Sequence, residues 1–204
     1  MVIMDDIFND IDIHILYDEV PSQFLNRIYN NDLFRKEPFN LLYRLKETQQ
    51  SLKYHPEGNV WNHTMMVVDE AAKRREKSKN QREFMWAALL HDIGKPSTTK
   101  MKKERIVSYD HDKEGAELAK RFLKNFTGNI EFINNVSSLV RWHMQILFVV
   151  KDMQFAQISK MKKEVDIEEV ALLGLCDRLG RGGAIRADEE ENIRIFIEKC
   201  KKDL

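Results

Sequence analysis

Leu89-Leu90-His91-Asp92-Ile93-Gly94-Lys95-Pro96 sets an imidazole and a carboxylate side by side at the end of an apolar run, Phe84-Met85-Trp86-Ala87-Ala88-Leu89-Leu90. Gly just past a helix and Pro soon after are stop signals, so the spacing predicts a buried helix with His91 and Asp92 in its last turn. A neutral imidazole beside a carboxylate at such a place suits a divalent cation. The plainer alternative is a pair that merely ends a helix, and a dipeptide alone does not choose between the two.

Other residues of the same chemistry lie at matching places along the chain. After the loop His55-Pro56-Glu57-Gly58-Asn59, with Asn59 as an N-cap, a helix carries Val60, Trp61, His63, Val67 and Ala71. His63 shares a face with Val67 and Glu70, so it looks inward. Asp177 follows Ala171-Leu172-Leu173-Gly174-Leu175-Cys176, where a carboxylate is costly unless it is paired or bound to a cation. His111 and His143 sit at helix boundaries between His91 and Asp177. Nitrogen and oxygen donors without thiolates suit one or two ions of Mn, Fe, Co, Ni or Zn, with Mg less favoured.

Between these positions the periodicity is helical. Residues 1–20 are a segment of uncertain structure, with Ile3, Ile7, Ile11 and Ile15 at a period near four and His14 without an assigned partner. Residues 21–204 read as one all-α domain of about nine helices. They include pieces starting at Pro21 and Pro38, spans at 129–143, 151–163 and 166–179, and a charged closing helix at 187–203. The strand signal is confined to short β-branched pieces around Lys102-Lys103-Glu104-Arg105, enough for one small hairpin.

Composition narrows the setting. The 204 residues are 43% apolar and 32% charged, an ordinary soluble balance. Lys+Arg and Asp+Glu are equal at 33 each, so no basic field draws the chain to a membrane or a long nucleic-acid groove. Two cysteines, Cys176 and Cys200, make no disulfide framework and suit a reducing cytoplasm. The first residues carry no basic-then-apolar leader, and the apolar run Ile146 to Val150 is far short of the roughly 20 residues of a membrane span.

The ordered set His63, His91-Asp92, His111, His143, Asp177 resembles the HD-domain metal-dependent phosphohydrolases, whose pattern is His…His-Asp…Asp. The likeness runs from about residue 20 to about residue 185 and is nearest to the HD domain of bacterial tRNA nucleotidyltransferases, the CCA-adding enzymes. It is carried by His55 to Thr64, Leu90 to Pro96, Tyr109-Asp110-His111-Asp112 to Gly115-Ala116, and Asp177 to Gly182. Nothing resembles a nucleotidyltransferase palm, so the chain reads as a stand-alone HD protein and CCA addition is not carried over. Where the family has a Gly before the histidine near position 111, this chain has Asp110.

The resemblance implies that His63, His91, Asp92 and Asp177 ligate a first divalent ion. His111 and His143 complete a second site bridged by Asp92, or bind phosphate or relay protons beside a single ion. A metal-activated hydroxide then attacks phosphorus and no side-chain nucleophile is needed. Lys95 is a candidate to hold a substrate phosphate, and Arg178 and Arg181 are candidate phosphate contacts; solvated or flexible helix ends are the alternatives. Glu57 and His55 read as supports of the site, and Trp61 and Trp142 as its apolar walls. The expected activity is hydrolysis of nucleotide or RNA-end phosphoesters, with 2′,3′-cyclic phosphodiesters and 2′-nucleotides foremost. Nucleoside mono- or triphosphates and dinucleoside polyphosphates stay open. A non-catalytic nucleotide- or metal-binding regulatory module is the competing class, and an oligomer is compatible with the closing helix.

Overall fold

A helix that is apolar on every side has no solvent face, and every side chain from Phe84 to Leu90 is buried. The computed structural model describes residues 4–202. In chain order the helices are α1 (Met4–Tyr17), α2 (Pro21–Ile28), α3 (Asn40–Tyr43), α4 (Val60–Ala72), α5 (Gln81–Leu90), α6 (Lys95–Thr98), α7 (His111–Leu123), α8 (Ile130–Trp142), α9 (Gln145–Val150), α10 (Ile158–Glu164), α11 (Ile167–Leu179) and α12 (Arg186–Lys202), with 3-10 turns at Asp32–Arg35 and Arg75–Lys77. Of these twelve, α3, α6 and α9 are shorter than seven residues, which leaves nine longer helices among the described residues. The fold is all-α but for one antiparallel hairpin, β1 (Thr99–Lys102) and β2 (Arg105–Ser108).

Helix α5 is the axis of the molecule, flanked by α1, α4, α8 and α11. Asn59, Asn80, Asn129 and Asp166 cap α4, α5, α8 and α11, each side chain accepting from a backbone N–H in the first turn. Such caps contribute about 1 kcal/mol apiece and fix where each core helix begins. The hairpin turn uses Lys103 and Glu104 at φ 46° and 61°, the left-handed pair that a two-residue connection requires. Its register sets Thr99 opposite Ser108 and Lys102 opposite Arg105.

The N-terminal segment is ordered and packed. Ile7, Phe8, Ile11 and Ile15 bury one face of α1, while Ile3 lies outside the described residues. Phe8 stacks on Trp86 at 4.6 Å, and Asp12 accepts from the Trp86 indole N–H at 2.6 Å. His14 does have a partner, Asp18 at 2.8 Å, and its ring lies 3.6 Å from that of Phe24.

Two local expectations change. Of the helix expected over 151–163 only the second half forms, as α10 (Ile158–Glu164); residues 151–157 are a break between α9 and α10. The buried Gln145 satisfies that break, accepting from Gln157 N at 2.8 Å and donating to Phe155 O at 3.4 Å, so the chain need not stay helical there. At the central motif α5 ends at Leu90, with His91 as its cap and Asp92 just beyond. Gly94 is not a left-handed stop (φ −80°), and Pro96 opens α6 in its first turn rather than ending anything. Glycine is required there by crowding: a Cβ would sit 2.2 Å from His111 O and 2.6 Å from Gly115 N. The chain just past α5 is thus pressed against the start of α7.

Gly94→Ala is therefore expected to cost about 2–3 kcal/mol through overpacking against backbone. Thermal unfolding should show Tm lower by about 5–10 °C; an unchanged Tm would mean that the two segments are not in rigid contact.

Candidate metal centre

Five helix boundaries or faces bring their polar side chains to one buried point. Helix α4 supplies His63, the end of α5 supplies His91 and Asp92, the first residue of α7 is His111, the cap of α8 is His143, and α11 carries Asp177. All six are buried. The backbone at position 110 is left-handed (φ 58°, ψ 18°), a conformation that favours glycine and that Asp tolerates better than most other residues.

The imidazoles are oriented by backbone. His91 Nδ1 lies 2.8 Å from Ala88 O, His111 Nδ1 2.7 Å from Ser108 O, and His143 Nδ1 2.7 Å from Val140 O, each three residues upstream. A carbonyl only accepts, so each Nδ1 carries the hydrogen and each Nε2 of a neutral ring holds a lone pair aimed at the centre. His63 is held by a carboxylate instead: Glu57 Oε1 is 3.0 Å from its Nδ1, with Gly180 O at 3.3 Å on the same nitrogen. Gly180 can lie there because a Cβ would meet Val67 N at 2.9 Å, which fixes the close crossing of α4 and α11.

Asp92 divides the set. Its Oδ2 faces His91 Nε2 at 3.2 Å and His63 Nε2 at 3.7 Å; its Oδ1 faces His111 Nε2 at 3.4 Å and His143 Nε2 at 3.9 Å. Asp177 Oδ1 closes the first group at 3.0 Å from His63 Nε2. His91 Nε2 and Asp92 Oδ2 are buried without a hydrogen-bond partner; Lys95 Nζ is 2.7 Å from that oxygen but outside hydrogen-bonding angles. The His111 and His143 Nε2 atoms stand 3.2 Å apart, two lone pairs facing one another. Orphaned buried acceptors of this kind cost about 1–3 kcal/mol each unless something occupies the space between them. Imidazole and carboxylate without sulfur is the donor chemistry of a divalent transition-metal ion, and two groups, His63-His91-Asp92 and Asp92-His111-His143, each converge closely enough to hold one.

The electrostatics agree with a site that holds its ligands ready. Burial works to raise Asp92, but Lys95, His91 and His111 outweigh it and keep the carboxyl well below its usual range. Asp177 is depressed in the same way, burial being overcome by Arg181 and His63. Burial, reinforced by His111 and His91, lowers His143 to about 4, and burial also lowers His111, so both are neutral at physiological pH. His63 is the exception: burial lowers it, yet Asp177 and Glu57 outweigh that and raise it. Burial likewise opposes ionisation of Glu57, but His63, His55 and the Gly182 N–H bring it down to about 2.

Around the ligands, the structure sorts the remaining residues. Lys95 is buried, between Asp92 and Gln50, whose Oε1 accepts from it at 2.6 Å. Arg181 Nη2 donates to both oxygens of Asp177, at 3.0 and 2.8 Å. Arg178 turns to α12, with Glu189 at 3.7 Å. Trp61 and Trp142 are fully buried, and their indole N–H groups donate to Asn26 and Glu164. Gln50 escaped the sequence reading, since a Gln in a polar stretch before a loop carries no periodic or motif signal.

Residues 60–182 match the family described as HD domain, and the chain belongs to that family, one of metal-dependent phosphohydrolases. Among curated proteins it is similar to the multifunctional CCA protein of Azoarcus sp. (strain BH72), 30% identical over 70% of this chain and 34% of that protein. The multifunctional CCA proteins of Mannheimia succiniciproducens (28% identical, 71% of this chain, 36% of the relative) and Halorhodospira halophila (26%, 74% and 37%) align similarly. The chain thus spans about a third of the length of these relatives.

Because the metal-free His63 keeps its proton to a higher pH than an ordinary imidazole, cation binding at its Nε2 must expel that proton. Affinity for Mn²⁺ should rise with pH, by up to about tenfold per unit, and level off above the raised His63 pKa. Calorimetry of loading near pH 6.5 in buffers of differing ionisation enthalpy should report net proton release. Proton-neutral binding would remove His63 from the ligand set.

Proposed function

We propose that the protein is a metal-dependent hydrolase of nucleotide or RNA-end phosphoesters, of the 2′,3′-cyclic phosphodiesterase, nucleotidase or phosphatase type. The observation that carries this reading is the division of Asp92, one oxygen toward His63 and His91, the other toward His111 and His143. In this reading His63, His91, Asp92 and Asp177 hold one divalent ion, and Asp92, His111 and His143 hold a second. A cation so bound supplies Lewis-acid chemistry, acidifying a water and neutralising charge on phosphoryl oxygens.

The chain's own side chains do the rest. Backbone carbonyls and Glu57 keep the rings from turning, so the ligand geometry is paid for in folding rather than at each turnover. Lys95, placed against Asp92, presents an ammonium to a phosphoryl oxygen once its partner carboxylate is shared with a cation. Arg181, on Asp177, stands in the same relation on the other side. The balanced net charge favours small or end-on substrates over long nucleic acids. Similarity to multifunctional CCA proteins supports the RNA-end class, and two buried free thiols, Cys176 and Cys200, suit a reducing cytoplasm.

The test is hydrolysis of 2′,3′-cyclic AMP, 2′-, 3′- and 5′-AMP, dATP and a diadenosine polyphosphate by metal-stripped protein resupplied separately with Mn, Ni, Co, Zn and Mg. Turnover of the cyclic diester or the 2′-phosphate is expected, and Asp92→Ala should reduce it beyond the about 10–100-fold that loss of an outer partner costs. Turnover confined to dATP or the dinucleotide would move the substrate class, and silence with every metal would leave a binding module. In the same assay Lys95→Ala should raise KM or lower kcat by about tenfold at unchanged metal content; loss of metal would make Lys95 a support of the site.

A further inference from the structure

Gln50 is 7% exposed and lies in the strand-like approach to α4, pinned by the bridge of Gln49 to Asn59 and by its own N–H to Gly58 O at 3.3 Å. Its carboxamide orientation is forced. Lys95 Nζ, 2.6 Å away, has only hydrogens to offer, so the oxygen must face it and the NH2 must face the other way. That NH2 is buried and has no partner. The same ammonium lies 2.7 Å from Asp92 Oδ2, so the unused amide donor sits within one side chain of the candidate metal centre. Amide oxygen and nitrogen share one carbon, so Gln50 Nε2 is a second buried donor close to the ammonium that faces Asp92.

We propose that Gln50 Nε2 and Lys95 Nζ together form a phosphoryl-binding subsite, with the Gln50 NH2 donating to one nonbridging oxygen of the substrate phosphate. The inference rests on the phosphohydrolase reading of the metal centre and deepens it. A charged ammonium supplies attraction to any anion. A rigid neutral donor beside it supplies direction, and it does so without adding charge next to the ligand carboxylates. Gln50 is a binding residue in this scheme; it also holds Lys95, and the two roles separate by substitution. Gln50→Met keeps the bulk and removes both functions. Gln50→Glu keeps an acceptor for Lys95 but puts a repelling oxygen where the donor was.

The experiment is binding of inorganic phosphate to the Mn²⁺-loaded full chain by calorimetry, with metal content and circular dichroism recorded for each variant. At unchanged metal content, Gln50→Met should weaken phosphate binding by about 10- to 100-fold, the range for a hydrogen bond to a charged acceptor, and Gln50→Glu should weaken it further. Wild-type affinity in Gln50→Met overturns the subsite. Recovery in Gln50→Glu above Gln50→Met also overturns it, because Gln50 would then act only by holding Lys95. If Gln50→Met fails to fold, Gln50→Glu decides alone, and wild-type affinity there rejects the donor role. Absence of phosphate binding by the loaded wild type would instead overturn the phosphohydrolase reading and the subsite with it.

Discussion

A carboxylate buried at the end of a fully apolar helix must be answered by charge, and much of this molecule is arranged around that answer. Asp92 is 2% exposed, and burial alone would protonate it. It stays ionised chiefly because Lys95 lies against it, with His91 and His111 adding to the effect. Lys95 and the four histidines around it arrive from five segments, α4, the end of α5, α6, the start of α7 and the cap of α8, so the surroundings of one side chain tie together how the helices converge.

The convergence is held by backbone more than by side-chain packing. His91, His111 and His143 use one device, a ring N–H on the carbonyl three residues back, so each ring position follows from where its helix ends or begins. The crowding at Gly94 ties the exit of α5 to the entry of α7, and that at Gly180 ties α11 to α4. The two contacts set the distances between ligand-bearing segments to within what a single methyl group would disturb. A donor set that must meet a cation within tenths of an ångström is served by this kind of rigidity.

What was legible in the sequence follows from which signals are local. The helix at 81–90 was readable because its apolar run has no polar face, and the hairpin because its β-branched pieces flank the polar stretch 102–105, whose middle two residues make the turn. His63 and Asp177 were marked by sitting where charge or polarity is costly. Residues 151–157 of the helix expected over 151–163 are loop because Gln145, twelve residues before Gln157, satisfies that segment, a pairing with no periodic signature. Gly94 and Pro96 were legible as punctuation, yet the reason for Gly94 is a contact with residue 111, which only the folded chain creates. Gln50 was invisible for the same reason: its meaning lies in Lys95, forty-five residues on.

Charge balance connects this architecture to substrate. In the metal-free centre, Asp92, Asp177 and Glu57 are opposed by Lys95, Arg181 and the proton on His63, so negative and positive groups offset one another in pairs. The apolar core can therefore surround the centre without an uncompensated ion, which would cost several kcal/mol. In the proposed reading, a divalent cation that displaced one proton would add one net positive charge to that balanced set. The surplus sits in a low-dielectric surround, where it acts on an anion more strongly than any surface lysine. In the proposed function, affinity for an anionic phosphoester would in this way be coupled to metal loading. Neutrality of the whole chain would then be no obstacle to the proposed phosphate binding, because the attracting charge would be made at the site by the cation.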